Sequence, residues 1–217
     1  MNLILLGAPG AGKGTQAELL SKQLGIPTIS TGNILRDAMK RGTELGRKVK
    51  DLMDNGQLVP DDVVIGIVEE RVHREDCAKG FILDGMPRTI PQAIALEERG
   101  IHVDAAVSIE LADHVIEERM SGRRVCGGCG ASYHVEANPP KTEGICDHCG
   151  HELVVRKDDT TETVRSRLKV FHSETEPLKH FYADHGVLKL INGAQTIEEA
   201  NRDILKALGR SYDTNQK

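Results

Sequence analysis

The stretch that decides the fold of this chain reads Leu3-Ile4-Leu5-Leu6-Gly7-Ala8-Pro9-Gly10-Ala11-Gly12-Lys13-Gly14-Thr15. Its apolar start predicts a strand buried on both faces, and the residues from Lys13 to about Leu24 predict a helix that ends at Gly25. A Gly7-x4-Gly12-Lys13 loop between such a strand and such a helix is typical of a phosphate-binding site. Backbone N–H groups, the helix N-terminus and the lysine then all face one anion. The glycine spacing does not match the G-x-G-x-x-G pattern of dinucleotide-binding folds.

Apolar strand-like runs alternate with helical stretches along the rest of the chain. This order predicts an α/β fold with a five-stranded parallel sheet flanked by helices. The predicted strands are residues 3–6, 26–29, 81–84, 105–109 and 187–191. The predicted helices are residues 13–24, 60–74, 161 onward with a bend near Pro177, and 197–208. Residues 31–59 have a polar helical pattern broken at two glycines, and residues 122–159, rich in Gly, Cys and Pro, are predicted to be an insertion.

Composition and charge narrow the class of protein. The 217 residues, 39% hydrophobic and 28% charged, are enough for one substantial core with smaller inserted modules. The net charge of −5 provides no basic surface for general nucleic-acid binding. No apolar run approaches the roughly 20 residues that cross a bilayer, and the start lacks the basic leader of a signal peptide. We therefore expect a cytoplasmic protein with no nucleic-acid and no membrane partner.

Four cysteines in the middle of the chain predict a metal site. The pattern C-x2-C-x16-C-x2-C is formed by Cys126, Cys129, Cys146 and Cys149. In a reducing compartment such pairs are typical of zinc ligands rather than disulfides, and four thiolates fill a tetrahedral shell, so the predicted Zn²⁺ is structural. Other donors lie nearby at Asp147, His148 and His151, and a shell in which a histidine replaces a cysteine is the alternative. Cys77 lies apart and is expected to be an ordinary buried residue.

Three further motifs accompany the phosphate loop. They are Ser30-Thr31-Gly32-Asn33, Asp84-Gly85-Met86-Pro87-Arg88, and the pair Gly122-Arg123-Arg124 with Arg156-Lys157-Asp158-Asp159. With the loop, they make the sequence resemble adenylate kinase, in the long form with a zinc-binding lid domain, from Met1 to about Leu208. The resemblance implies a P-loop nucleoside monophosphate kinase fold, a monomer, and reversible Mg²⁺-dependent transfer, ATP + AMP ⇌ 2 ADP. It implies a core (residues 1–29, 60–121 and 160–217), a helical AMP-binding module (30–59) and a zinc-stapled lid (122–159).

The resemblance also assigns roles to individual residues. Around the reacting phosphates it places Lys13, Asp84, Arg88, Arg123, Arg156 and Arg167. On ATP it places Gly10, Ala11, Gly12, Lys13, Gly14, Thr15, Arg119, Arg123, Ser132, Tyr133 and Gln195. On AMP it places Thr31, Arg36, Gln57, Leu58, Val59, Gly85, Met86, Pro87, Arg88, Gln92, Arg156 and Arg167.

The chemistry of phosphoryl transfer explains why these residue types are needed. The acceptor is itself a phosphate that is ionised near neutral pH, so no general base is required. The reaction needs in-line positioning of the reactants and neutralisation of their charge. Arginine suits this task because its planar donor fork matches phosphate oxygens and stays charged. Asp84 follows an apolar strand, where a carboxylate serves Mg²⁺ directly or through water.

Plainer alternatives stay open for several residues. Solvated surface ion pairs are the alternative for the arginines, and a capping aspartate is the alternative for Asp84. Asp158 and Asp159 fit a cap for the following helix as well as a catalytic role. Gln92 can pair with adenine, accepting from N6 and donating to N1, but with its amide flipped it would serve guanine almost as well. Adenine specificity therefore rests on the resemblance.

One position departs from the general phosphate-loop motif, and two depart from the pattern of the family. Gly14 occupies the place after the lysine where Ser or Thr usually binds Mg²⁺, with Thr15 next, so we expect the ion to be held largely through water. Asn33 and Met86 stand where the family usually has aspartate and phenylalanine. We interpret both as local packing or polar variations, and Asn33 cannot supply a charge.

Two other functions compete with this interpretation. A zinc ribbon coupled to an NTPase would bind nucleic acid, but residues 122–159 carry five basic and six acidic side chains and Tyr133 as their only aromatic. Such a surface offers neither the basic side chains that bind a phosphate backbone nor the aromatic rings on which bases stack. The nearer rival is a kinase of GMP, UMP or CMP, which shares the chemistry but not the zinc-binding lid.

Overall fold

The computed structural model describes residues 1–211. In these residues the strands are β1 (Asn2–Leu6), β2 (Thr28–Ser30), β3 (Phe81–Asp84), β4 (Ala105–Glu110), β5 (Arg123–Cys126), β6 (Ser132–His134), β7 (Leu153–Val154) and β8 (Leu188–Asn192). The α-helices are α1 (Lys13–Leu24), α2 (Thr31–Lys40), α3 (Glu44–Asp54), α4 (Asp61–Val72), α5 (Ile90–Glu98), α6 (Asp113–Ser121), α7 (Thr161–Val170), α8 (Leu178–Asp184) and α9 (Ile197–Ala207). None of these helices combines the length and the apolar character that a membrane span needs.

A five-stranded parallel sheet in the order β2-β3-β1-β4-β8 forms the centre of the molecule, as predicted. Side chains of β1 alternate between its two faces. Ile4 packs in one apolar layer with residues of α4, α5 and α8, and Leu3 packs in the opposite layer with residues of α1 and α9. Both side chains are fully buried, and each such burial contributes about 1.5–3 kcal/mol. The strand that opens the chain therefore holds both layers together.

The element boundaries differ slightly from the predictions. The strand expected at residues 26–29 spans Thr28–Ser30 because Pro27 has no N–H for a ladder; its carbonyl oxygen accepts from the N–H of Ile82 at 2.9 Å. The helix expected at residues 60–74 ends at Val72, and the strand expected at 187–191 is shifted by one residue. Gly25 closes α1 as predicted, with φ +64°. The predictions for residues 212–217 lie outside the described part of the chain.

The helix predicted from residue 161 is interrupted earlier than expected. A wider π-helical turn, Phe171–Thr175, separates α7 from α8, so the break begins before Pro177. The hydroxyl of Thr175 donates to the carbonyl oxygen of Arg88 at 2.8 Å. The irregular turn thus joins this helical segment to the loop that follows β3, and such turns are frequent near functional sites.

Two smaller units interrupt the α/β alternation. Helices α2 and α3 occupy the segment predicted to be helical and polar. Strands β5, β6 and β7 form a separate antiparallel sheet in the order β6-β5-β7. The apolar core of this small sheet consists of Cys126, Tyr133, Cys146 and Leu153. So little buried apolar surface is insufficient to order a unit of this size without a further link.

Close packing of α3 on α2 generates a prediction about stability. A Cβ added at Gly46 in α3 would overlap the carbonyl carbon and oxygen of Ala38 in α2, so we expect Gly46→Ala to lower the free energy of unfolding by about 1–3 kcal/mol. Gly66 in α4 is the matched control, because a Cβ there meets nothing within 4 Å. Gly66→Ala should raise the free energy of unfolding by about 0.5–1 kcal/mol. Urea unfolding measures both, and equal effects would contradict the packing argument.

Candidate active site

The phosphate loop is held in a tight curl by its backbone. Gly7 has φ +137°, and a Cβ there would lie 2.7 Å from the carbonyl oxygen of Ile109, so only glycine fits between β1 and β4. The ammonium group of Lys13 donates to the carbonyl oxygens of Gly7 (2.7 Å) and Ala8 (2.8 Å). The lysine therefore closes the curl at the N-terminus of α1, where helix dipole and ammonium both favour an anion.

Lys13 lies in a strongly cationic, buried setting. Burial lowers its pKa to about 8; Asp84 opposes the shift, and Arg88, Arg167 and Arg123 add to it. Asp84 ends β3 and accepts a hydrogen bond from Ser30 Oγ at 3.3 Å. It caps no helix, because the next helix, α5, is capped by Thr89. The carboxylate therefore stands beside the loop lysine, as expected for a group that serves the metal of a nucleotide.

Arginines from separate elements converge on the same cleft. Arg36 comes from α2, Arg88 from the loop after β3, Arg123 from β5, Arg156 from the loop after β7, and Arg167 from α7. Each interacts electrostatically with others of the group, and Arg88, Arg123 and Arg167 also interact with Lys13. The alternative of solvated surface ion pairs does not fit Arg123 and Arg167, whose side chains are each only 15% exposed.

Asp158 and Asp159 hold these arginines and do not cap the following helix. The cap of α7 is Thr160, whose hydroxyl accepts from the N–H of Thr163 at 3.3 Å. The carboxylate of Asp159 is fully buried and accepts a forked pair of hydrogen bonds from Arg123 and a third from Arg167. Asp158 accepts from Arg167 at 3.0 Å. The two aspartates therefore position the guanidinium groups.

Positive charge exceeds negative charge in this cleft. The cations are Lys13, Arg36, Arg88, Arg123, Arg156 and Arg167, and the carboxylates are Asp84, Asp158 and Asp159. Burial, and then the neighbouring arginines, lower the pKa of Arg156 to about 9, and its buried Nε has no hydrogen-bond partner. Burial also lowers the pKa values of Arg36, Arg88 and Arg167. A ligand with several negative charges would relieve this imbalance.

A second cleft lies between α2, α3 and the end of β3. It is lined by Thr31, Gly32, Leu35, Met53, Gln57, Leu58, Val59, Val64, Gly85, Arg88 and Gln92. Thr31 donates to the carbonyl oxygen of Gly85 at 3.1 Å, and Gln92 is buried in the cleft wall. Met86 turns instead into the main apolar core and is 1% exposed, so its side chain is a packing residue. Asn33 accepts from Arg36 at 3.2 Å.

Three of the residues expected on ATP beyond the phosphate loop make other contacts in this structure. Arg119 donates to the carbonyl oxygen of Gly193 at 2.9 Å, and Gln195 donates to Asp203 at 2.8 Å. The hydroxyl of Tyr133 is buried beside Cys146 and accepts from the N–H of Asp147 at 2.8 Å. The structure thus brings together the residues expected around the phosphates, while the side chains of Arg119, Tyr133 and Gln195 are already partnered.

The four patterned cysteines fit a tetrahedral metal ion. Their sulfur atoms lie within 4.8 Å of one another, with Cys126–Cys149 at 3.4 Å and Cys129–Cys146 at 3.6 Å. Four sulfurs bound to Zn²⁺ at about 2.3 Å would be about 3.8 Å apart. The N–H of Gly128 points to the Cys126 sulfur at 3.3 Å, a contact that suits a thiolate. The donor set and spacing therefore match structural zinc.

The alternative metal ligands lie in other contacts. Asp147 accepts from the N–H of Lys141 at 3.0 Å, and the His148 ring lies 3.5 Å from the carboxylate of Glu18 in α1. His151 contacts a backbone carbonyl oxygen. Among the described residues, the group that could hold a metal contains the four cysteines and no histidine. Cys77 is buried elsewhere, against Arg71, as expected for an ordinary core residue.

Sequence reasoning missed the contacts that two carboxylates make in the structure. Asp159, expected to cap a helix or act in catalysis, positions two arginines, and Asp61, to which no role was assigned, accepts a hydrogen bond from Gln92 at 2.6 Å. For Asp159 the signal was its place after Arg156 in a family motif. For Asp61 the partners are 31 residues apart, and no local pattern marks such a pair.

Comparison with known proteins agrees with this geometry. The family model described as "Adenylate kinase" matches residues 5–187. An adenylate kinase from Caldicellulosiruptor bescii is 56% identical over 213 residues, which cover 96% of this chain and 99% of that protein. Adenylate kinases from Carboxydothermus hydrogenoformans (55% identity, 96% and 99% coverage) and Lachnospira eligens (51% identity, 96% and 100% coverage) are similar throughout. On this likeness, and with the site described above, the chain belongs to the adenylate kinase family.

Proposed function

We propose that the convergent arginines carry out the reaction of this enzyme, the reversible transfer of a phosphoryl group from ATP to AMP that gives two ADP. A phosphate oxygen of AMP attacks the γ-phosphorus of ATP, the bond from that phosphorus to the β–γ bridging oxygen breaks, and the bridging oxygen leaves with ADP. No proton needs to be removed from the acceptor. The observation that carries the proposal is the excess of partly buried positive charge, with an unpartnered Arg156 Nε, beside the phosphate loop.

The residues divide the work by position. The loop from Gly10 to Thr15, with Lys13, binds the β- and γ-phosphates of ATP, and Arg36 and Arg88 bind the phosphate of AMP. Arg123, Arg156 and Arg167 lie between the two and neutralise the charge of the transferring group. Fixed, buried donors of this kind act without reorganisation during the reaction.

Magnesium fits the donors on the ATP side. Asp84 offers carboxylate oxygens near the loop lysine, and oxygen is the ligand type that Mg²⁺ prefers. When bound with ATP, the ion supplies charge neutralisation at the β- and γ-phosphate oxygens. With Gly14 in place of a hydroxyl residue, Asp84 and Thr15 are the side chains we assign to hold it, largely through water.

AMP occupies the second cleft in this proposal. Thr31, Gln92, the backbone of residues 57–59 and the turn of residues 85–88 line it and surround the nucleotide. On the ATP side, Arg119 and the backbone of Ser132, Tyr133 and Gln195 are the proposed contacts. The backbone is favoured at the last two because their side-chain polar groups are already engaged.

The two inserted units close over the cleft in this proposal. We assign residues 30–59 to an AMP-binding module, residues 122–159 to a lid, and residues 1–29, 60–121 and 160–217 to the core. Two contacts between the units support the assignment: Lys40 donates to the carbonyl oxygen of Gly127 at 2.7 Å, and Arg36 lies 3.9 Å from Asp158. Closure excludes water, which would otherwise accept the phosphoryl group.

The metal and the setting complete the proposal. The cysteine cluster holds structural Zn²⁺ that keeps the lid folded, and it takes no part in the transfer. The enzyme works as a cytoplasmic monomer, a state that rests on the resemblance alone, without nucleic-acid or membrane partners. The slightly acidic lid supports the absence of a nucleic-acid role.

A pair of substitutions in α7 tests the role of the arginines. Arg167→Ala should lower kcat about 10³-fold, because a guanidinium that stabilises the transferring group is lost. Arg165→Ala is the matched control: Arg165 is exposed and pairs with Glu117 away from the cleft, so kcat should change less than twofold. Coupled turnover assays measure both, with thermal melting as a check on folding. Equal kcat values for the two variants would refute the role of Arg167.

Proton uptake on binding tests the setting of Lys13. Because burial holds its pKa at about 8, about half of the free enzyme carries an uncharged lysine at pH 8. A phosphate raises that pKa, so ATP binding at pH 8 should take up about half a proton, and ATP affinity should fall as the pH rises further. Calorimetry in buffers of different ionisation enthalpy measures the uptake. Lys13→Gln should abolish it and Lys22→Gln, exposed in the same helix, should keep it; equal uptake in both variants would be the contrary result.

Removal of the metal tests the cysteine cluster. A structural zinc ion contributes on the order of 10 kcal/mol to a small unit, so chelation or Cys146→Ser should lower the thermal midpoint and abolish the bound zinc. Binding of ATP to the phosphate loop should persist, since the loop lies in the core. Cys77→Ser, outside the cluster, should retain one zinc per chain by elemental analysis. An unchanged thermal midpoint in the metal-free protein would refute the structural role of the metal.

A further inference from the structure

Gln92 is held at both ends of its side-chain amide. Its Oε1 accepts from the backbone N–H of Arg88 at 2.7 Å, and its Nε2 donates to Asp61 Oδ1 at 2.6 Å. A backbone N–H can only donate and a carboxylate can only accept. A flipped amide would therefore place donor against donor at Arg88 and acceptor against acceptor at Asp61. The surroundings allow one orientation of this buried side chain, which is 2% exposed.

One orientation of an amide can read only one kind of purine edge. Adenine presents a donor at the 6-position and an acceptor at N1, whereas guanine and hypoxanthine present an acceptor at the 6-position and a donor at N1. In the orientation fixed here, Oε1 keeps a second lone pair and Nε2 keeps a second hydrogen. Those two free positions match adenine and oppose a 6-oxopurine.

We propose that Asp61 is a positioning residue that sets the choice of nucleobase, by fixing the Gln92 amide in the orientation that accepts adenine. The inference rests on the proposed assignment of Gln92 to the AMP base. Of the two groups that hold the amide, Asp61 is the one that a substitution can change, because the other is a backbone N–H. The bond to a carboxylate is also charge-assisted and therefore the stronger kind.

A purely structural role for Asp61 makes a different prediction. Its second oxygen lies 3.4 Å from the hydroxyl of Thr89, which caps α5, so the carboxylate also links the first turns of α4 and α5. If this link were its whole contribution, loss of the carboxylate would reduce stability and affect all acceptor nucleotides alike. A positioning role changes the ratio between nucleotides.

The experiment compares AMP with inosine monophosphate as phosphoryl acceptors. The inosine base has the 6-oxo and N1–H groups of guanine without its 2-amino group, so the comparison tests the amide and not the room for an extra substituent. Asp61→Asn places a group that can donate or accept opposite Gln92, so the flipped amide is then opposed by the backbone N–H of Arg88 alone. We expect the ratio of kcat/KM for AMP to that for inosine monophosphate to fall about tenfold or more, through KM rather than kcat.

Asp62→Asn is the matched control, since it removes the same charge from the same helical turn at an exposed residue outside the cleft. Its ratio should equal that of the unmodified enzyme. An unchanged ratio in Asp61→Asn, with or without a lower thermal midpoint, would overturn the proposal. Asp61→Ser, which also removes the carboxylate, carries the same expectation and replaces the first variant if that one folds poorly.

A third variant separates this inference from the site assignment beneath it. Gln92→Leu should raise the KM for AMP and abolish the discrimination between the two nucleotides. If it does neither, Gln92 does not contact the base, and the assignment of the AMP site and the role of Asp61 fail together. If Gln92→Leu acts as expected while Asp61→Asn leaves the ratio unchanged, only the role of Asp61 fails.

Discussion

The repulsion among partly buried cations is the constraint on which the rest of the structure depends. Lys13 and five arginines meet in one cleft. Like charges repel one another, so the side chains need anionic partners to stay together. Asp158 and Asp159 hold three of the guanidinium groups, and the sheet fixes the phosphate loop beneath them. The compensation is partial, which leaves a site complementary to phosphates. Folding and substrate binding are thus linked, because the charges that strain the free cleft stabilise the occupied one.

The fold was largely predictable from the sequence because its main signals are local. Four apolar residues before a glycine-rich loop predict a buried parallel strand, and the alternating runs after it predict the sheet. The errors occur where local rules compete with long-range contacts. Pro27 shortens β2, and the π-helical turn at Phe171–Thr175 departs from the helix pattern as the chain meets the carbonyl oxygen of Arg88. Nothing within that segment indicates the meeting.

Some parts of the candidate site could be predicted from the sequence and others could not. The phosphate loop and the cysteines follow from residue type and spacing, because the chemistry of phosphate and of zinc restricts both. The roles of Arg36, Arg88 and Gln92 came from the resemblance, and no periodicity would have indicated them. The contacts of Asp61 with Gln92 and of Asp159 with Arg123 were not predicted, because the partners are distant in sequence. Which end of an amide faces a ligand is decided by such partners, and only the folded chain brings them together.

The position of Arg123 and Arg156 has a consequence for how the lid can change over evolutionary time. One arginine lies where the chain enters the small sheet and the other where it leaves, so the residues between them carry the cysteines but none of the six cations of the cleft. Substitutions or a different means of cross-linking within that interval, away from Ser132 and Tyr133, leave every cation of the cleft in place, provided that both stems still reach it. The means by which the interval is held together, including the proposed zinc site, can therefore be exchanged without removing a charge from the cleft.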